Sequence, residues 1–245
     1  MSLNGKTALV AGGTSGIGRA IAEAFAADGA KVVVCGTREQ VVQEIESGAS
    51  TQSGGKMRAR VCDVTDRAAV SALFAWVTAE VGTVDILVNS AGTNVSNRSM
   101  ANLDPDEFDR VMAVNFTGTF NATHAALPAM RDKGEGLIVN VISLAGKRVM
   151  ELAGAGYCVS KFAAGALGTY VNLEDAKNGV RVTNVYPGET NTPLVDRRPT
   201  PPPEEKRAQM VQPEDVASVV LTIANLPPRA VVPEIVITPP HMMVG

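Results

Sequence analysis

Tyr157 and Lys161 stand four positions apart in Tyr157-Cys158-Val159-Ser160-Lys161, at the head of an Ala-rich run that reads as a helix to Tyr170. Residues four apart share one helix face. A phenol and an ammonium group therefore project into the same space. A cation beside a phenol favours the phenolate and draws its pKa down from about 10. A phenol tuned in this way gives or takes a proton at a carbonyl or alcohol carbon. Alone, the pair is common, and its bland reading is a buried Tyr beside a solvated Lys. Ser143 changes the odds. It ends the apolar run 136–142, fourteen positions before Tyr157. An isolated Ser at a strand end is usually a cap or a turn residue. Beside a phenol, its hydroxyl can hold a carbonyl oxygen through a hydrogen bond that strengthens as charge develops there.

Chemistry of this kind needs a hydride carrier, and the first forty residues supply the elements to position one. Thr7–Ala11 is a short apolar run of the kind found in buried parallel strands. Gly12-Gly13-Thr14-Ser15-Gly16-Ile17-Gly18 follows, then a helix over 19–27 and a second strand over 31–35. A strand, a glycine-rich turn, a helix and a strand form the context that a dinucleotide fingerprint requires. The glycines let the backbone turn tightly and approach a pyrophosphate, and the helix start directs free N–H groups at its charge. The bland alternative is a glycine-rich turn with no ligand. The second strand ends Cys35-Gly36-Thr37-Arg38, with no acid to hold an adenosine ribose 2′-hydroxyl. Arg38 and Arg19 both suit a 2′-phosphate. The expected cofactor is therefore NADP(H), with NAD(H) as the alternative. A solvated loop charge is the bland reading of Arg38.

The glycine spacing, Gly12-x-x-x-Gly16-x-Gly18, resembles the short-chain dehydrogenase/reductase family, and further motifs in order extend the resemblance along the whole chain. They are Asp63-Val64 after a third strand (57–62), Asn89-Ser90-Ala91-Gly92 after a fourth (84–88), and Asn115 inside a long helix begun by Asp104-Pro105. Ser143, Tyr157 and Lys161 follow, then Pro187-Gly188 with Thr190 and Thr192 after a sixth strand (180–186). Two departures stand out: Ser90 replaces the family's second Asn, and Thr190 replaces a Val or Ile.

The resemblance implies a catalytic set of Asn115, Ser143, Tyr157 and Lys161. It implies cofactor contacts from Gly12, Thr14, Ser15, Gly16, Ile17, Gly18, Thr37, Arg38, Asp63, Val64, Asn89, Ala91, Gly92, Tyr157, Lys161, Pro187, Gly188, Thr190 and Thr192. Asn115 is implied to distort its helix and anchor a water for Lys161, and Lys161 to hydrogen-bond the nicotinamide ribose. Bland readings stand beside three of these. Asn115 is a polar residue bonding backbone, Asp63 caps the helix that follows, and Asn89 ties neighbouring strands together.

The 245 residues suffice for one α/β domain over 1–245 with a substantial core. The expected architecture is a doubly wound, Rossmann-like parallel sheet of about seven strands with helices on both faces. The proline-rich stretch within 190–212 reads as a substrate lid. A formal net charge of −3 offers no basic face for nucleic acid. No run is long enough to span a bilayer, and no Cys/His cluster has metal-ligand spacing. Cys35, Cys62 and Cys158 suit reduced thiols, and with no signal-peptide core the expected location is cytoplasmic.

The expected activity is NADP(H)-dependent interconversion of a carbonyl and a secondary alcohol, with Tyr157 as acid and base. The resemblance implies a homodimer or homotetramer built through the helices bearing Asn115 and Tyr157. An NADP(H)-binding sensor or scaffold without turnover is the alternative. It would show a broken catalytic set, and here the set is intact. The sequence does not name the substrate. Leu144, Val149, Met150, Leu152 and Leu194 suggest an apolar wall. No basic clamp is evident beyond Lys147 and Arg148, which read as solvated. The apolar tail 239–245 reads as an interface segment or as disordered.

Overall fold

The computed structural model describes residues 2–48 and 57–242. In chain order the elements are β1 (Thr7–Ala11), α1 (Gly16–Ala27), β2 (Lys31–Gly36), α2 (Glu39–Glu46), β3 (Met57–Val61), α3 (Arg67–Glu80) and β4 (Ile86–Asn89). Then come α4 (Pro105–Met112), a π-helical turn (Ala113–Thr117), α5 (Gly118–Lys133), β5 (Gly136–Val141), α6 (Ala155–Asp175) and β6 (Val180–Pro187). The chain closes with α7 (Glu204–Arg207), α8 (Pro213–Ala224) and β7 (Glu234–Ile237).

The strands form one parallel sheet in the order β3-β2-β1-β4-β5-β6-β7. Successive strand side chains point to opposite faces, and the core divides accordingly. Val10, Val32, Val34, Val88 and Val139 pack under Ile21 and Phe25 of α1 and Val216 and Val220 of α8. Leu9, Val33, Leu87 and Ile138 pack against α3, α5 and α6 through Val77, Leu127, Met130 and Val171. A sheet covered on both faces explains why its strands read as unbroken apolar runs.

Local chemistry sets the helix ends. Asp66, rather than Asp63, caps α3 by accepting from the N–H groups of Ala68 and Ala69. Asp63 instead closes its own turn, accepting from the N–H and hydroxyl of Thr65. Asp104 caps α4 with Pro105 in its first turn, and Gln212 and Asp215 cap α8 reciprocally around Pro213. The sequence from Glu39 suggests an amphipathic helix followed by a polar loop over 47–55; the helix ends at Glu46, and residues 49–55 lie outside the described ones. β4 begins two residues later than the apolar run suggests. β7 is shorter than the run 231–238, because it is a half-exposed edge strand.

An asparagine ladder crosses the sheet. Asn89, Asn140 and Asn184 are in register on β4, β5 and β6. Asn89 Nδ2 donates to Asn140 Oδ1 (2.9 Å), Asn140 Nδ2 to Asn184 Oδ1 (3.0 Å), and Asn184 Nδ2 to the Gly165 carbonyl on α6 (2.9 Å). Gly168 lies flush against this ladder, since a Cβ there would sit 2.6 Å from Asn140 Nδ2. The ladder seats α6, the helix of Tyr157 and Lys161, on the sheet.

Candidate active site

A cleft of about 750 Å³ opens where the strands end, the location that a doubly wound sheet creates for ligands. One end is backbone. Gly12 has φ +77°, and a Cβ on it would lie 2.6 Å from Ala91 Cα. A side chain on Gly18 would strike the Gly12 carbonyl, so only glycine lets α1 start this close to β1 and β4. Ser15 precedes α1 without capping it, and no acid occupies its first turn. The N–H groups of that turn are thus available to an anion. Thr14, Ser15, Gly16, Ile17, Thr37, Arg38, Asp63, Val64, Ala91 and Gly92 line this end together with Gly12. Arg38 is exposed and has no carboxylate partner among the described residues.

Three expectations change here. Arg19 pairs with Glu23 at 2.5 Å along α1 and does not line the cleft, so the helix's own acid holds it. Gly18 and Asn89 also lie outside the lining. The first serves close packing, and the second donates to Thr123 Oγ1 and Asn140.

The other end holds the titratable set. The Ser143 hydroxyl accepts from the Ala145 N–H (3.1 Å) and stands close enough to the Tyr157 phenol to favour its ionised form. Lys161 is buried. Its Nζ donates to the Val141 carbonyl at the end of β5 (3.1 Å) and lies 5.6 Å from the Tyr157 ring centroid. Gly92 leaves room beside that ammonium, where a Cβ would come within 3.6 Å.

Asn115 is fully buried in the π-helical turn. Its Oδ1 accepts from the Thr93 N–H (2.7 Å), and its Nδ2 donates to the Thr93 carbonyl and Ser160 Oγ (both 3.0 Å). The Thr119 hydroxyl donates to the Asn115 carbonyl (2.9 Å). Extra-wide turns of this kind are frequent at functional sites. The Asn115 side chain does not line the cleft; it pins the Thr93 loop to α6.

The electrostatics correct the expected direction of the phenol's pKa. Burial pushes Tyr157 up to about 12, against smaller lowering by the Ser143 hydroxyl and the Arg98 charge. Burial also brings Lys161 down to about 8. Removing water penalises the charged form of each group. Because the ammonium bonds the Val141 carbonyl and not the phenol oxygen, it does not offset that penalty. Tyr157 is therefore neutral at pH 7.

The short chain dehydrogenase family model matches residues 6–202. The chain belongs to the short-chain dehydrogenase/reductase family. It is an oxidoreductase of that family. It is 37% identical over 97% of its length to a glycine betaine reductase of Emericella nidulans, of which it spans only 19%. It is 35% identical to a 3alpha-hydroxysteroid dehydrogenase of Mediterraneibacter gnavus, with 92% of both chains covered. Among solved structures it matches an alcohol dehydrogenase of the archaeon Thermococcus sibiricus complexed with 5-hydroxy-NADP. The TM-score is 0.86 at 26% identity, covering 98% of this chain and 99% of that one.

Within this short-chain dehydrogenase several lining residues carry no motif. Thr93, Arg98, Arg110, Glu189, Arg197, Arg198 and Met242 all face the cleft. They sit on loops after β4 and β6, on α4 and on the tail, so only the rule that ligands gather at strand ends could have flagged them. Of the expected apolar wall, Leu144, Met150, Leu152 and Leu194 line the cleft, whereas Val149 is exposed. Lys147 pairs with Glu234 and lies over the Tyr186 ring, away from the lining. Thr190 is buried, with its hydroxyl donating to the Gly188 carbonyl (3.2 Å). Residues 239–242 return to the site: Met242 Sδ accepts from the Glu189 N–H, and His241 lies 3.2 Å from the Glu189 carboxylate.

Proposed function

We propose that the enzyme interconverts a carbonyl and a secondary alcohol with NADP(H). The observation that carries this reading is the gathering of Ser143, Tyr157 and buried Lys161 in the cleft that the glycine-rich turn also lines. The cradle fits a dinucleotide: Gly12 lets the turn close against the Ala91 backbone, the α1 start is uncapped, and Arg38 has no carboxylate partner among the described residues. Arg38 and Thr37 would hold a ribose 2′-phosphate, and no acid at the end of β2 favours a 2′-hydroxyl instead.

When bound, the cofactor supplies or accepts the hydride at the substrate carbon. The chain's residues do the rest. Ser143 holds the substrate oxygen and stabilises the charge that develops on it. Tyr157 gives its proton to that oxygen in reduction and takes it back in oxidation. Lys161 keeps a cation beside the ring and would hold the nicotinamide ribose by a hydrogen bond. Asn115 holds the Thr93 loop and α6 in place. The segment 190–212 covers the cleft as its lid, with Thr190 bridged to Val211.

An exposed apolar stripe on α6, made of Val159, Phe162, Tyr170 and Leu173, supports a homodimer or homotetramer through that helix. The three free, buried thiols suit a reducing compartment such as the cytoplasm. No helix among the described residues is long and apolar enough to cross a membrane.

The test is cofactor oxidation against a panel of ketones, oxo acids, 3-oxoacyl thioesters and sugars. The expected result is turnover of at least one class, faster with NADPH than with NADH. No turnover of any class, or equal rates with both cofactors, contradicts the reading.

A further inference from the structure

Besides Arg38 at the dinucleotide end, four arginines border the cleft, and the protein neutralises only two of those four. Arg198 pairs with Glu189 at 2.9 Å, and Arg110 pairs with Glu107. Arg98 and Arg197 have no carboxylate within ion-pair distance among the described residues. Arg98 is the more telling of the two. It is 8% exposed, its terminal nitrogens donate to two neutral backbone oxygens (Leu152 and Arg197), and its buried Nε has no partner. Arg197 Nη1 donates to the Thr93 hydroxyl at 2.5 Å, again a neutral group.

A buried guanidinium without a counter-charge is costly unless something compensates it. The chain as a whole is slightly acidic, with a formal net charge of −3, so the excess of cations at this cleft is local. Arg98 acts on the Tyr157 phenol electrostatically and packs against Gly154, immediately before α6. Its charge is therefore felt at the reacting end of the cleft.

We propose that the substrate carries a carboxylate, seated on Arg98 and closed over by Arg197 of the lid, so that the enzyme acts on a hydroxy or oxo acid. The buried Nε has no partner, and a guanidinium edge matches a carboxylate's two oxygens. Met150, Leu152 and Leu194 in the same lining give the acid's carbon chain an apolar wall. This assignment rests on the reading of Tyr157 and Ser143 as the reacting site.

The test measures binding as well as turnover, so that the two readings fail separately. Full-length enzyme with NADP+ is titrated with 3-hydroxybutanoate, 3-hydroxyhexanoate, their methyl esters and glycerol 3-phosphate, and kcat and KM are measured for each. The acids should bind about tenfold or more tighter than their esters, the difference expected of a charge-assisted hydrogen bond. Arg197→Gln should erase most of that difference while leaving ester binding and melting temperature unchanged. Arg98→Lys, which keeps the charge but not the fork, should retain part of it. The loss should appear in KM more than in kcat.

Equal affinity for acids and esters, or no measurable binding of either acid, overturns the proposal. So does tighter binding of the phosphate ester than of both acids. Acid preference without any turnover would leave the carboxylate site standing and sink the reading of Tyr157. Ester turnover without acid preference would do the reverse.

Discussion

The two ends of the cleft are built by different means. The dinucleotide end is shaped by backbone: Gly12 touching Ala91, Gly18 under the Gly12 carbonyl, and the open N–H groups of α1. The other end is shaped by long side chains on loops that meet only in three dimensions. Arg98 arrives from the loop after β4, Arg197 and Arg198 from the lid, and Met242 from the tail. Backbone geometry constrains residue type tightly, because a Cβ either fits or does not. A loop arginine is under no such local constraint. The backbone-built end and the side-chain-built end meet at Tyr157 and Lys161 on α6.

Lys161→Met tests that junction. The expected loss in kcat is about 10²-fold or more, the usual scale for a residue that supports proton transfer. The affinity for NADP(H) should also fall, and a change in KM for substrate alone would place Lys161 at the wrong end. Gly12→Ala tests the backbone end. The new Cβ meets Ala91 and forces a strained φ, so cofactor binding should be lost and stability should drop by about 1–3 kcal/mol. Calorimetric titration and thermal melts check both, and unchanged cofactor affinity would break the comparison.

Arg38→Ala sharpens it. The ratio of kcat/KM with NADPH to that with NADH should fall about tenfold or more, with substrate preference unchanged. An unchanged cofactor ratio would show that Arg38 is a solvated charge.

The smallest expected effect is a pH dependence of stability. Lys161 in the fold has a pKa of about 8 against an ordinary 10.5. Between those values the unfolded chain binds the extra proton, so stability rises with pH across that window. Tyr157 acts in the opposite sense. Its folded value of about 12 lies above 10, so from pH 10 to 12 the unfolded chain loses its proton first and stability falls. Denaturant midpoints should rise above pH 8 in the wild type, and the rise should vanish in Lys161→Met. A flat profile in the wild type would mean that Lys161 is not desolvated.

Legibility in the sequence followed the same division. The order of strands and helices, the glycine-rich turn and the Ser143, Tyr157 and Lys161 set were readable because each depends on short-range pattern. Asn115 was readable only through resemblance, and its π-helical turn has no propensity signature. The cap at Asp66 was misplaced to Asp63 because two acids three residues apart both suit a helix start. The direction of the Tyr157 pKa was missed because spacing on a helix says which groups are neighbours but not how much water they keep. Lys147 and Arg148 drew attention by lying near Ser143 in the chain. Two cations that do face the cleft, Arg98 and Arg197, lie 45 residues before Ser143 and 54 after it.

The central claim is that Tyr157 moves the proton while the rest of the cleft only holds and orients. Tyr157→Phe removes one oxygen and leaves the glycine-rich turn, Lys161 and the asparagine ladder untouched. The measurement is the single-turnover rate of NADPH oxidation in this variant, taken beside its NADPH dissociation constant. Turnover should fall by about 10³-fold or more, with the dissociation constant changed less than about threefold. Turnover within a few-fold of the wild type would contradict it.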